Sequence, residues 1–195
     1  MFGAAYAPRV DADFVRLAEG DSEHEALAVF LTGDTWPFHG VEQPTRETAA
    51  DWLAESRFFG SESRSFWVRT AGGAETAGLV TLKDLQDRTP LFDLRLRAAY
   101  RGRGLGTAAV RWLTRYLFTE LPEILRIEGD TRQDNIAMQR TFERCGYVRE
   151  SHHRQAWPSS QGFVYDAYGY AILRQDWLSG GTTPVHFGPG APAHH

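Results

Sequence analysis

The chain has 195 residues, 42% of them hydrophobic and 24% charged, with a formal net charge of -4. This is the composition of an ordinary globule, large enough for one domain with a proper core, and the charge argues against a surface that coats nucleic acid. Cys145 is alone and permits no internal disulfide, no apolar run approaches a membrane span, and the acids over 11–25 do not suit a signal peptide, so a cytoplasmic protein with no membrane and no nucleic-acid partner is expected.

Residues 1–10 carry no clear pattern, and a first strand is expected over 14–17. Asp21 and Ser22 are placed to cap a short helix over 23–31, with Glu25 completing a capping box. The loop over 33–40 is rich in turn residues yet carries Trp36 and Phe38, followed by His39. Large aromatics in a loop either staple it to the core or wall a pocket. A second helix, capped by Thr45, is expected over 45–58. Strands over 65–69 and 75–82 are joined through Ala71-Gly72-Gly73, a hairpin signal, and a polar connection over 83–88 leads on.

Residues 91–97 alternate with period two, placing Phe92, Leu94 and Leu96 on one face of a fourth strand. Arg101-Gly102-Arg103-Gly104-Leu105-Gly106-Thr107 follows, and Leu105, Ala109, Trp112, Leu113, Tyr116 and Leu117 then recur at helical spacing over 104–121. Such a strand, glycine-rich turn and helix suit an anion, because glycines admit a ligand close to the backbone and unpaired amides point from the helix start. Arg101 and Arg103 add forked donors fit for phosphate oxygens. The glycine spacing fits neither a phosphate loop ending in Gly-Lys nor a dinucleotide fingerprint, since Thr107 stands where its third glycine belongs. Glu128, about 20 residues on, keeps the dinucleotide reading as a near miss.

Pro122 ends the helix, and a fifth strand over 124–128 is expected to run parallel to the fourth. Asp134 or Asn135 caps a further helix whose face carries Met138, Phe142 and Cys145, ended by Gly146. Strands over 147–155 and 165–173 close the domain, linked by a loop over 157–162. Residues 1–179 thus form one domain, and 180–195 read as a flexible Gly/Pro-rich tail.

Arg101, Gly104 and Gly106 fill the fixed positions of [Q/R]-x-x-G-x-[G/A], and the segment resembles the acyl-CoA loop of the GNAT acetyltransferases. The stretches over 134–138 and 142–147 resemble that family's second conserved segment. Those over 149–157 and 165–177 resemble the closing strands of the branch of ribosomal-protein N-terminal (RimJ/RimL-type) acetyltransferases. The resemblance implies an α/β (α+β) fold: a mixed, mostly antiparallel sheet of about seven strands, with a parallel fourth and fifth pair splayed to hold acetyl-CoA, flanked by about four helices. It implies an N-acetyltransferase acting on a primary amine, of a small molecule or a peptide N-terminus, by direct attack and with no metal.

By the same resemblance, Arg101, Gly102, Arg103, Gly104, Leu105, Gly106 and Thr107 hold the diphosphate, the backbones of Leu94 and Leu96 meet the pantetheine arm and thioester, and Asn135, Met138 and Phe142 complete the cofactor site. Many relatives carry a Tyr acid where Phe142 stands, and some a Ser where Met138 stands. Thr141 or a water would have to substitute, or the thiolate leaves unaided. Glu128 is the first choice of base, with Asp93 and Asp130 behind it; pairing with Arg126, Arg132 or another Arg is the structural reading of Glu128, and pairing with Arg95 or Arg154 that of Asp93. Trp36, Phe38 and His39 are candidates for the acceptor wall, and aromatics near Trp157 and Tyr168 for a dimer contact or a substrate wall. A non-catalytic acyl-CoA-binding module is the alternative that the missing hydroxyls suggest.

Overall fold

The structure is a computed structural model that describes residues 11–73 and 75–186. The patternless 1–10 and the last part of the tail, 187–195, lie outside the described residues. Seven strands form one sheet in the order β1-β2-β3-β4-β5-β7-β6. They are β1 (Ala12–Arg16), β2 (Arg64–Thr70), β3 (Thr76–Lys83), β4 (Leu91–Leu96), β5 (Arg126–Arg132), β6 (Val148–Pro158) and β7 (Val164–Leu173). All neighbours are antiparallel except β4 and β5. The helices are α1 (Asp21–Thr32), α2 (Arg46–Ala54), α3 (Leu105–Glu120), α4 (Ile136–Arg144) and α5 (Arg174–Ser179), with a single 3-10 turn at Ala98–Tyr100.

Strand alternation builds two cores. Phe66, Val68, Val80 and Leu82 face α3 and α4, meeting Ala109, Val110, Leu113, Leu117 and Phe142. Trp67 and Leu79 point the other way and meet Leu27, Phe30, Leu31, Trp36 and Trp52 from the α1–α2 layer. The apolar stripe of α3 is the helical repeat visible in the sequence.

Several element ends follow their local sequence signals. Thr45 caps α2 by accepting from the Thr48 amide, Asn135 caps α4 by accepting from the Met138 amide, and Gly146 takes the left-handed conformation past α4 at φ 84°. Other expectations need correction. Helix α1 begins at Asp21 behind Gly20 with no side-chain cap, and Glu25 instead holds Arg46 in a bidentate pair at 2.9 and 3.1 Å. Helix α2 stops at Ala54, and β6 runs on to Pro158, so Trp157 is a strand residue. Strand β5 starts at Arg126 and continues to Arg132, later than the apolar run 124–127 suggested. Ile124 is core all the same, with no exposed surface.

Helix α5 was not foreseen. Its first residue, Arg174, donates to the carbonyls of Ile124, Phe118 and Leu121 at 2.6, 2.7 and 2.7 Å, satisfying the open end of α3. Beyond Gly180, residues 181–186 have no regular structure, but Thr183 is bonded to both Asp176 carboxylate oxygens.

Candidate active site

Strands β4 and β5 are joined by one bridge, Leu91 with Glu128, where the Glu128 amide donates to the Pro90 carbonyl at 3.0 Å. Past it they part. At the far end of β4 the Arg97 amide donates to the Ala77 carbonyl across the β3 side. Amides alternate edges along a strand, so those of Asp93 and Arg95 also face β3, while those of Phe92, Leu94 and Leu96 face the gap. On the opposite edge the same rule turns the main-chain groups of Asp130 and Arg132 inward, because the Glu128 amide faces β4. Gly129 has no side chain where the gap opens, and a Cβ there would stand 2.7 Å from the Phe142 ring and 3.1 Å from Phe92. These two rings close the floor.

The glycine loop enters α3 through Gly102 and Gly104, both with positive φ, 73° and 86°. Among the described residues, no acceptor meets the amides from Gly102 to Thr107, and the first intrahelical bond is from Ala108 to the Gly104 carbonyl. Arg103 is exposed beside Tyr100. Arg101 is turned away from the loop: its guanidinium donates to the carbonyls of Leu96 and Thr35 and lies over Trp36. Its side chain straps the loop after α1 to the exit of β4, helped by the Ala98 amide, which donates to Asp34.

A cavity of about 320 Å³ opens beside the gap. Phe92, Leu94, Asn135, Met138 and Phe142 line it together with Phe38, His39, Trp52 and Trp157. Trp36 stands apart from this lining: it is 1% exposed, donates to the Leu31 carbonyl and packs on Phe30, so it is the staple of its loop. Arg132, paired with Asp134 at 2.6 Å and lying over Phe38 and Tyr165, anchors the other end of the loop to β5.

The fold sorts the three candidate base carboxylates. Glu128 is at the zipped end of the β4–β5 pair, outside the cavity lining, and is bound to Arg126 at 3.0 Å. The expectation that it ends the fifth strand fails because β5 runs four residues further. Asp93 lines the cavity, its carboxylate held by His39 Nε2 at 3.1 Å and by Arg95 Nε at 3.1 Å. Burial acts to raise its pKa, but Arg95 and His39 outweigh it and hold the carboxyl well below the usual range. Asp130 lies across the gap at the cavity mouth. Partial burial raises its pKa, with His153 opposing, while the residue stays solvent-exposed.

Sequence reasoning missed Trp52, Arg57, Lys83 and Arg95 as cavity residues, whereas Trp157, read from sequence as a dimer-contact or wall candidate, is in the lining. Only Lys83 carried a signal, as the chain's single Lys. No helix of the described residues is long and apolar enough to cross a membrane.

The Acetyltransferase (GNAT) domain family matches residues 9–148. No curated protein matches the sequence. A chimera of the spermidine N-acetyltransferase SpeG from Vibrio cholerae and hSSAT superposes with a TM-score of 0.71 at 19% identity, over 86% of this chain and 98% of that one. The Vibrio cholerae spermidine/spermine N-acetyltransferase SpeG in complex with manganese ions gives 0.68 at 18% identity, over 86% and 95%. A GNAT-family acetyltransferase from Bacillus anthracis gives 0.65 at 20% identity, over 79% and 90%. These likenesses establish the shared fold. With its splayed strand pair, glycine loop and matched family segment, the chain belongs to the GNAT family of acetyltransferases.

Proposed function

We propose that the protein transfers the acetyl group of acetyl-CoA to a primary amine, of a small molecule or a peptide N-terminus, by direct attack. The single bridge between β4 and β5 carries the reading, because beyond it the Leu94 and Leu96 amides face a gap with no strand partner. Acetyl-CoA supplies the acyl group as a thioester with a good leaving sulfur. The open amides from Gly102 to Thr107, with Arg103, suit its diphosphate, and Arg101 supports the loop without giving it a phosphate donor. Asn135, Met138 and Phe142 suit the arm beside β4.

The Leu94 amide stabilises the negative charge that develops on the carbonyl oxygen. Asp130 takes a proton from the acceptor ammonium, a task for which a raised carboxyl pKa fits. The freed nitrogen lone pair forms the C–N bond, the C–S bond breaks with its electron pair leaving on sulfur, and the second proton that the nitrogen loses goes to that thiolate. No tyrosine stands at position 142 to protonate it. Phe142 is stacked on Tyr170 at 4.6 Å with 1% exposure, an arrangement that favours the second reading, a non-catalytic acyl-CoA sensor. Likeness of the closing strands to the ribosomal-protein branch supports a peptide N-terminus as one acceptor class.

Two measurements test this. Acetyl-CoA at about 100 times its Kd should stabilise the fold by about 2.7 kcal/mol, a rise in Tm of roughly 5–10 °C. An unmoved melting curve at millimolar acetyl-CoA ends the proposal. Thiol release across a panel of amines then separates enzyme from sensor, since a sensor binds and does not turn over.

A further inference from the structure

Resting on the acetyl-transfer reading of this cavity, we infer that its acceptor is an amino-acid-like zwitterion: a small primary amine that also carries a carboxylate, seated against Arg57, Lys83 and Arg95. The cavity is electrically divided. Of its two acids, Asp93 is already neutralised by His39 and Arg95, which leaves Asp130 to meet an ammonium group. Asp130 makes no ion pair among the described residues.

The opposite end is cationic. Lys83 forms no ion pair among the described residues, and Arg57 lies over Trp52 at 5.3 Å with only the exposed Glu55 as partner. Arg95 gives its Nε to Asp93, but its Nη1 is buried with no hydrogen-bond partner, on a side chain 10% exposed. A charged donor left in that state is costly, so the place calls for an acceptor oxygen. A second cavity of about 50 Å³ continues the first beneath this end, and Trp52, Arg57, Lys83, Asp93 and Arg95 line both.

Strand geometry sets the span. Lys83 is opposite Leu91, Leu91 is bridged to Glu128, and Asp130 is two residues further along β5. Two strand spacings and a two-residue step put the Lys83 and Asp130 backbones roughly 12 Å apart, and both side chains reach inward from there. A small zwitterion fills that distance between the aromatic faces of Phe38, Trp52 and Trp157. A polyamine, the substrate class in the names of several structural neighbours, would bring a second ammonium against Lys83 and Arg57, with Arg95 already paired to Asp93.

The test uses the full chain with acetyl-CoA and thiol release, comparing amino acids with their methyl esters, an aminoalkyl phosphonate, spermidine and a short peptide. The free acid should exceed its ester at least tenfold in kcat/KM, and Lys83→Gln and Arg57→Gln should each drive that ratio toward one. Equal rates for acid and ester, or preference for spermidine or the peptide, overturn the inference; preference for the phosphonate reassigns the anion and overturns the carboxylate. Calorimetric binding of the same panel to protein saturated with CoA reads the cationic end without turnover. Carboxylate-dependent binding that Lys83→Gln abolishes, with no thiol release, supports the pocket while sinking the acetyl-transfer reading. Binding indifferent to the carboxylate sinks the inference alone.

Discussion

Asp93 and Asp130 stand on facing edges of one cavity, and their surroundings push them in opposite directions. Asp93 is pinned as an anion by a guanidinium and an imidazole. Asp130 keeps a carboxyl that partial burial makes more basic, the property a proton acceptor needs. Asp130→Asn should lower kcat at least tenfold and remove the acidic limb of the pH–rate profile, with acetyl-CoA binding unchanged. Glu128→Gln should cost less than threefold, because its carboxylate is held by Arg126 outside the cavity; a larger loss from Glu128→Gln than from Asp130→Asn would restore Glu128 to the role. Asp93 makes a separate prediction in stability. Its folded pKa is depressed, so its contribution is complete above the unfolded value near 3.9 and fades as pH falls through that value toward the lower folded one. Asp93→Asn should therefore cost roughly 3 kcal/mol at neutral pH, with a gap to the wild type that narrows below about pH 4, as thermal melts across pH would show. The choice of Glu128 from sequence had an identifiable cause. The apolar run ends at Ile127, and the continuation Gly129-Asp130-Thr131-Arg132 has no strand-like composition. A neighbouring strand and the missing Gly129 side chain hold that stretch extended, and neither is visible locally.

Elements with self-contained signals were legible, and those stabilised by distant partners were not. Helix α3 announces itself through its apolar stripe, and the caps of α2 and α4 are written in Thr45 and Asn135. Nothing near Arg174 in sequence says that it closes a helix ending some fifty residues earlier. Arg174→Leu should lower stability by roughly 2 kcal/mol and raise exchange of the last turn of α3, with Arg174→Lys recovering part of the loss. At the floor of the gap, Gly129→Ala would place a Cβ 2.7 Å from the Phe142 ring. About 1–3 kcal/mol of destabilisation should follow, measured by urea denaturation, and Phe142→Leu should relieve part of it. The aromatic loop was legible only as a pair of alternatives, and both hold: Trp36 staples, while Phe38 and His39 line the cavity.

At the scale of the whole molecule, strands β1 to β4 and strands β5, β7 and β6 are two antiparallel sets sharing one bridge, Leu91 with Glu128. The core under α3 and α4 spans both, contributed by Val80 and Leu82 on one side and Ile127, Tyr170 and Ile172 on the other. The sets are therefore glued by side chains far more than by main-chain bonds. A ligand arm lying in the gap would act as a missing eighth strand, lending hydrogen bonds to two edges that have no strand partner past the Leu91–Glu128 bridge. Hydrogen exchange should then slow at the Leu94 and Leu96 amides on adding CoA, while amides already paired inside either set stay as they were. Assembly of the complete sheet would become part of the act of binding, and a chain poor in cosubstrate would be the one most exposed to opening along that seam.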